Sequence, residues 1–178
     1  MTVTLGAIAF LASAMLSAVF VFTAEPIRKV AAAKVDRAIG DVLPPFDNSP
    51  AIEMTETKID GRTLRLYPAR KDSRPVGIAV ETSTGGGFGG EIRLMVGFLP
   101  DGRIYKTAVL SHAETPGLGD KIDARRSTFS LQFEGKDPAT FNLAVRQDGG
   151  DVDAITAATI SSRAFCDAVE RAKKVIRN

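Results

Sequence analysis

Residues 2–24 carry no charge and are dominated by Ala, Leu, Val, Ile and Phe. A run of this length exceeds the roughly 20 residues a helix needs to cross the hydrocarbon core of a bilayer. Two rival readings are weaker. A buried helix of a soluble protein seldom runs this far without a charge. A cleaved signal peptide has a basic flank, an apolar core of about 7–15 residues and an A-x-A-like site closing it; here there is no basic flank, the apolar run is longer, and no clear A-x-A site closes it. The sequence predicts a single-pass membrane anchor over residues 1–24. The nearest basic residues, Arg28, Lys29, Lys34 and Arg37, all follow the span. Taken alone, they would leave the bulk of the chain in the cytoplasm.

The remainder has room for one ordinary domain. With 44% hydrophobic and 25% charged residues it can build a core. The net charge of +2 is spread out and there is no Trp, so a nucleic-acid partner is not expected. Cys166 is the only cysteine, which excludes an internal disulfide, a CxxC pair, a Cys-ligated iron–sulfur cluster and a CxxCH haem site. His112 is the only histidine, which argues against a His-rich metal site. Any redox chemistry would have to come from an organic cofactor.

Along the chain, Glu25 to Ile39 reads as a helical stalk. Pro26 falls in its first turn, Gly40 is its stop, and Ile27, Val30, Ala31, Val35, Ala38 and Ile39 recur at helical spacing. Pro44, Pro45, Asn48 and Pro50 mark residues 41–58 as an irregular connection. The period then changes to two. Leu64 and Leu66, then Val76, Ile78 and Val80, then Ile92 to Phe98 and Ile104 to Ser111 predict strands, with a fifth at Phe141, Leu143 and Val145. Leu99-Pro100-Asp101-Gly102 is a turn that joins two of them as an antiparallel hairpin. Ser161 to Ile176 forms an amphipathic helix, with Phe165, Ala168, Val169, Ala172 and Ile176 on one face. The expected class is α+β: a mostly antiparallel sheet flanked by helices. It divides as anchor 1–24, stalk and connection 25–58, and domain 59–178.

Three stretches stand out. Gly85 to Gly90 contains G-x-G-x-x-G, but a strand pattern follows where a dinucleotide fingerprint needs a helix. It is either a plain loop tip or a place where backbone approaches a flat ligand, with Phe88 as an aromatic contact. Glu114 to Lys121 is a compact Pro/Gly loop, either an ordinary turn or a ligand-binding concavity. Glu114 and Asp120 have no partner base or nucleophile, so a hydrolase is unsupported. His112 fits a structural hydrogen-bonding role, and Cys166 a small core residue. Asp153 to Ser162 places hydroxyls just ahead of the last helix, where they either cap it or meet a phosphate.

Gly87-Phe88-Gly89-Gly90, a hairpin on Asp101-Gly102, His112 to Asp120 and Asp153 to Ser161 occur in that order. On these motifs the chain resembles the G subunit of Rnf-type electron-transport complexes. More distantly it resembles the C subunit of the Na+-translocating NADH:quinone oxidoreductase. The resemblance implies FMN held covalently, through a phosphoester between the flavin phosphate and a threonine hydroxyl. The family's motif is Ser/Thr-Gly-Ala-Thr-x-Ser/Thr, which maps the attachment to Thr159, with Thr156, Ala158 and Ser161 at the flanking positions. Ala157 stands where the family has Gly; if that position needs a positive φ, Ala is strained there. Glu114, Thr115, Gly117, Leu118 and Gly119 are implied as flavin-pocket residues, with Phe88 and Lys121. No side chain is expected to act as acid, base or nucleophile on a substrate.

Further implied are a bacterial cytoplasmic (inner) membrane location, a domain facing the periplasm or exterior against the charge count above, and maturation by a flavin transferase. The role implied is that of a redox subunit without independent turnover. It would pass electrons between ferredoxin or NADH and partner subunits of an ion-translocating oxidoreductase. The alternatives are a membrane-anchored ligand-binding module without redox work, or a flavin domain of another membrane redox system.

Overall fold

The computed structural model describes residues 2–176. Helix α1 (Thr2–Val42) is followed by strands β1 (Thr55–Ile59), β2 (Arg62–Lys71), β3 (Arg74–Thr84), β4 (Ile92–Phe98) and β5 (Ile104–Ser111). Three short 3-10 turns come next, Gly119–Ile122, Phe129–Phe133 and Arg146–Asp148, and then helix α2 (Thr159–Ile176). The chain forms two compact units, one up to Asp36 and one from Arg37 onward.

In the first unit, the 18-residue window apolar enough to cross a membrane has none of its residues buried within the protein. Lipid is the solvent such a surface calls for, and a helix satisfies its own backbone there. The one polar group near the end of the span, the Thr23 hydroxyl, donates to the Val19 carbonyl at 2.8 Å and so leaves no open donor. The helix differs from the sequence expectation in being continuous. Pro26 lies in its interior and Gly40 does not stop it.

The second unit explains the run past Gly40. Ala38, Ile39, Val42 and Leu43 are all buried, and that packing outweighs the roughly 1 kcal/mol a helical glycine costs. Gly97 makes the contact possible, because a Cβ there would lie 1.7 Å from the Val42 carbonyl oxygen. Pro44 then disfavours helical backbone at Leu43, and α1 ends.

The sheet is an antiparallel meander in the order β1-β2-β3-β4-β5. One face carries Leu64, Val80, Leu94, Val96 and Phe98, fully buried against Phe165, Ala168, Val169 and Ala172 of α2. Two hydroxyls pin the helix down: Thr82 donates to the Ala168 carbonyl at 3.2 Å and Thr84 to the Asp167 carboxylate at 2.6 Å. Cys166 lies in this core, and burial pushes its thiol up to about 12. The last turn of α1 covers part of the other face, near Gly77 and Gly97.

Two strand expectations are corrected. Phe141 to Val145 is no strand; it is irregular apart from one parallel bridge, Val145 to Val152. Leu143 and Val145 alternate because both enter the core, while Asn142 and Asp151 close a loop on each other at 2.8 and 3.0 Å. Conversely, β1 begins inside the predicted connection, covering its last four residues and Ile59. Its polar Thr-Glu-Thr-Lys-Ile sequence suits an edge strand, and the turn Asp60-Gly61, with φ of 50° and 74°, was its legible signal. α2 also begins two residues before Ser161, at Thr159.

Candidate functional site

Three segments converge at the N-terminal end of α2. The first is the glycine loop between β3 and β4. Gly89 sits so tightly on the next segment that a Cβ would lie 1.9 Å from the Ala113 carbonyl oxygen. Phe88, beside it, is 71% exposed. A strand follows the loop, so the dinucleotide reading fails on its context.

The second segment is His112 to Asp120. Leu118 and Asp120 donate their amides to the Thr115 carbonyl at 3.2 and 3.4 Å, folding the loop on itself. The Glu114 amide donates to His112 Nδ1 at 3.2 Å, which assigns the ring proton to Nε2. His112 is thus a structural hydrogen-bonding residue. Glu114 is buried; its carboxylate accepts the Gly89 amide at 3.0 Å and the Ser161 hydroxyl.

The third segment is the entry to α2. Ala157 adopts φ +63°, a left-handed conformation that L residues avoid. The helix starts at Thr159, with Ser162 N–H bonding the Ala158 carbonyl at 3.0 Å. Ala158 therefore occupies the cap position, and alanine has no side chain with which to cap. Among the described residues the amides of Thr159, Ile160 and Ser161 have no acceptor. Nor do the serines compete for them. The Ser161 hydroxyl goes to Glu114, and that of Ser162 donates to the Ala158 carbonyl while accepting the Ile155 amide, both at 3.0 Å. The Thr159 hydroxyl, by contrast, makes no hydrogen bond among the described residues. No acidic side chain lies in the first turn of α2, and Lys173 and Lys174 complement its far end.

Between these segments is a cleft of about 370 Å³. Its walls include Phe88, Glu114, Thr115, Leu118 and Gly119 on one side of the sequence, and Ala157, Ala158, Thr159 and Ser161 on the other. Of the residues expected at a site, Thr156, Gly117 and Lys121 are the three that do not line it. Ile160 is a lining residue that the sequence reading missed. Its signal was available: it is a large apolar residue off the Phe165–Ala172 stripe, and it stays 48% exposed.

A family model described as an FMN-binding domain matches residues 87–174, which takes in all three segments. The G subunit of the ion-translocating oxidoreductase complex of Vibrio cholerae is 35% identical over 181 residues, covering 97% of this chain and 87% of that protein. The chain belongs to the family of these G subunits. The corresponding G subunit of Haemophilus influenzae is 34% identical over 183 residues, covering 99% of this chain and 88% of its own. That of Erwinia tasmaniensis is 49% identical over 109 residues, an alignment covering 60% of this chain and 52% of the relative. The family match supports FMN as the cofactor, and among the described residues α1 is the one helix long and apolar enough to cross a membrane.

Proposed function

We propose that the protein carries FMN covalently, through a phosphoester between the flavin phosphate and Thr159 Oγ1. In this reading it is a membrane-anchored electron carrier within an ion-translocating oxidoreductase, passing electrons between ferredoxin or NADH and partner subunits. The observation that carries the proposal is the unspent chemistry at one helix end. Thr159 has a free hydroxyl beside three amides without acceptors, at a cap position held by alanine. Such an end attracts an anion, and a phosphate there would meet both the amides and the helix dipole.

The cleft fits the rest of the group. A volume of about 370 Å³ lies within the range of cofactor sites, and its lining combines apolar side chains with a few polar groups. The close fit of Gly89 on Ala113 keeps the loop thin beside it. Phe88, Leu118 and Ile160 are exposed apolar surface that a planar ring would cover. When bound, FMN supplies electron transfer at its ring system. The chain's own part is to tether the phosphate, shield the ring from water with those three side chains and set the polarity around it. A tether also keeps the cofactor in place through every redox state. No side chain at the cleft is needed as a proton donor or nucleophile toward a substrate. The domain would face the periplasm, and a separate flavin transferase would install the group.

The test is intact mass of the full-length protein co-produced with a flavin transferase, followed by peptide mapping. An FMN-sized adduct on the peptide of residues 147–163, lost in Thr159→Ala, is expected. The variant should fold normally, because the hydroxyl it removes makes no hydrogen bond among the described residues. If no adduct forms while the transferase modifies another acceptor, the proposal fails and a ligand-binding module without redox work takes its place.

A further inference from the structure

One charged group at the cleft has no task in this scheme. Glu114 is only 5% exposed, and both of its carboxylate oxygens are already engaged by the protein. Oε1 accepts the Gly89 amide at 3.0 Å, and Oε2 accepts the Ser161 hydroxyl. The partners lie on two other segments, the glycine loop that carries Phe88 and the first turn of α2 that carries Thr159. Space for the carboxylate depends on two missing side chains. A Cβ at Gly87 would lie 2.5 Å from Oε1, and one at Gly119 would lie 2.5 Å from Oε2. Glu114 is itself held by the bond from its amide to His112 Nδ1.

We infer that Glu114 is a positioning residue, a clamp that fixes the Phe88 loop and the Thr159 turn to one another across the cleft. It acts through Gly89 and Ser161 and not directly on the cofactor. The inference rests on Thr159 as the attachment point only for its functional consequence, since the clamp exists in the chain without FMN. It gives Gly87 and Gly119 a shared role, since a Cβ at either would meet the carboxylate.

Two substitutions separate a clamp from a charge. A glutamine at 114 can keep both links, its carbonyl accepting the Gly89 amide and its NH2 donating to a rotated Ser161 hydroxyl. An alanine keeps neither. In full-length protein in detergent, without cofactor, amide exchange at Gly89 reads the clamp directly. Glu114→Ala should exchange about tenfold faster there, and Glu114→Gln within about twofold of the parent. Co-produced with a flavin transferase, Glu114→Ala should gain the adduct about tenfold more slowly, with Glu114→Gln restoring the rate. Ser161→Ala cuts one arm only and should fall between them, which keeps the test intact if Glu114→Ala does not fold. Wild-type protection of Gly89 in Glu114→Ala would overturn the clamp. So would a glutamine variant as slow as the alanine one, since charge would then be what matters. A parent protein that takes no adduct sinks the flavin reading, and Gly89 exchange still decides the clamp.

Discussion

The domain has two clefts of the same size, about 370 Å³ each, lined by different residues. One is the cleft at the start of α2. The other is lined by Thr63, Arg65, Glu81, Ser83, Glu91 and Arg93 and is far richer in charge. Charge alone would make it the better site, but its charges are spent on each other. Glu81 accepts from Arg93, takes the Tyr67 hydroxyl at 3.0 Å and has Arg65 at 3.6 Å. Arg65 also bonds Glu56 at 2.8 Å, and Arg62 lies 3.6 Å from Glu91. The α2 cleft holds fewer polar groups, but three amides and a hydroxyl there have no partner among the described residues. Neither volume nor charge density distinguishes the α2 cleft from the other; unused hydrogen-bonding capacity does.

The sharpest way to break this comparison is to open the charged cleft. Glu81→Leu would leave two arginines and a tyrosine without their shared acceptor, the arginines half-buried and the tyrosine buried. A loss of about 2 kcal/mol in denaturant unfolding is expected, chiefly from the buried Tyr67 hydroxyl left without its acceptor, because water can solvate the two arginines. The Tyr67 phenol, raised by burial and then by the charge of Glu81, should drop toward its ordinary range in an ultraviolet titration. FMN-adduct formation per folded molecule should not change. If it falls with stability intact, the two clefts are coupled and the charged one is no mere strut.

The same contrast explains what could be read in advance. The α2 stripe, four of the strands and the Asp101-Gly102 hairpin were legible because burial imposes a period on the sequence. Phe141 to Val145 shows the limit of that logic, since alternation there serves burial without a pairing partner. β1 was missed for the opposite reason: an edge strand buries little and shows no apolar period, and only Asp60-Gly61 betrays it. At the site, the order of the motifs pointed to one place. That Ala158 and not a hydroxyl residue occupies the cap position was invisible, because it depends on where the helix starts. Glu114 was legible as a residue of the loop but not as a clamp, which requires three segments to meet.

A smaller effect separates the wall of the α2 cleft from its anion-binding end. Asp123 closes the Gly119–Ile122 turn, and hydrogen bonds from the Arg125 side chain hold its carboxyl below the ordinary range, with burial opposing them. A carboxylate lowered in the folded state adds stability above its unfolded value near 4. That contribution disappears as the pH falls through the lowered folded value. Asp123→Asn should therefore cost about 1 kcal/mol at neutral pH, little enough because Arg125 is largely exposed, and nothing once both states are protonated. Unfolding curves of parent and variant that stay parallel down through the acid range would show that the ion pair contributes nothing to the wall.

The smallest effect tests the turn that exposes the amides. Ala157 holds φ +63° immediately before the cap, and this left-handed residue sets the direction in which the chain enters α2. For alanine the conformation costs about 1 kcal/mol or slightly more, a cost that glycine avoids. Glycine in turn loses about 0.4–1 kcal/mol through its freer unfolded chain. The two nearly cancel, so Ala157→Gly should stabilise the domain by about 0.5 kcal/mol at most. Valine tests the other direction, since a branched side chain is a genuine outlier at positive φ. It should destabilise by more than glycine stabilises, and should slow adduct formation at Thr159. An Ala157→Gly variant less stable than the parent would mean that the turn is not held left-handed in solution. The free amides of α2 would then be a feature of one conformer, and the α2 cleft would lose what distinguishes it from its charged counterpart.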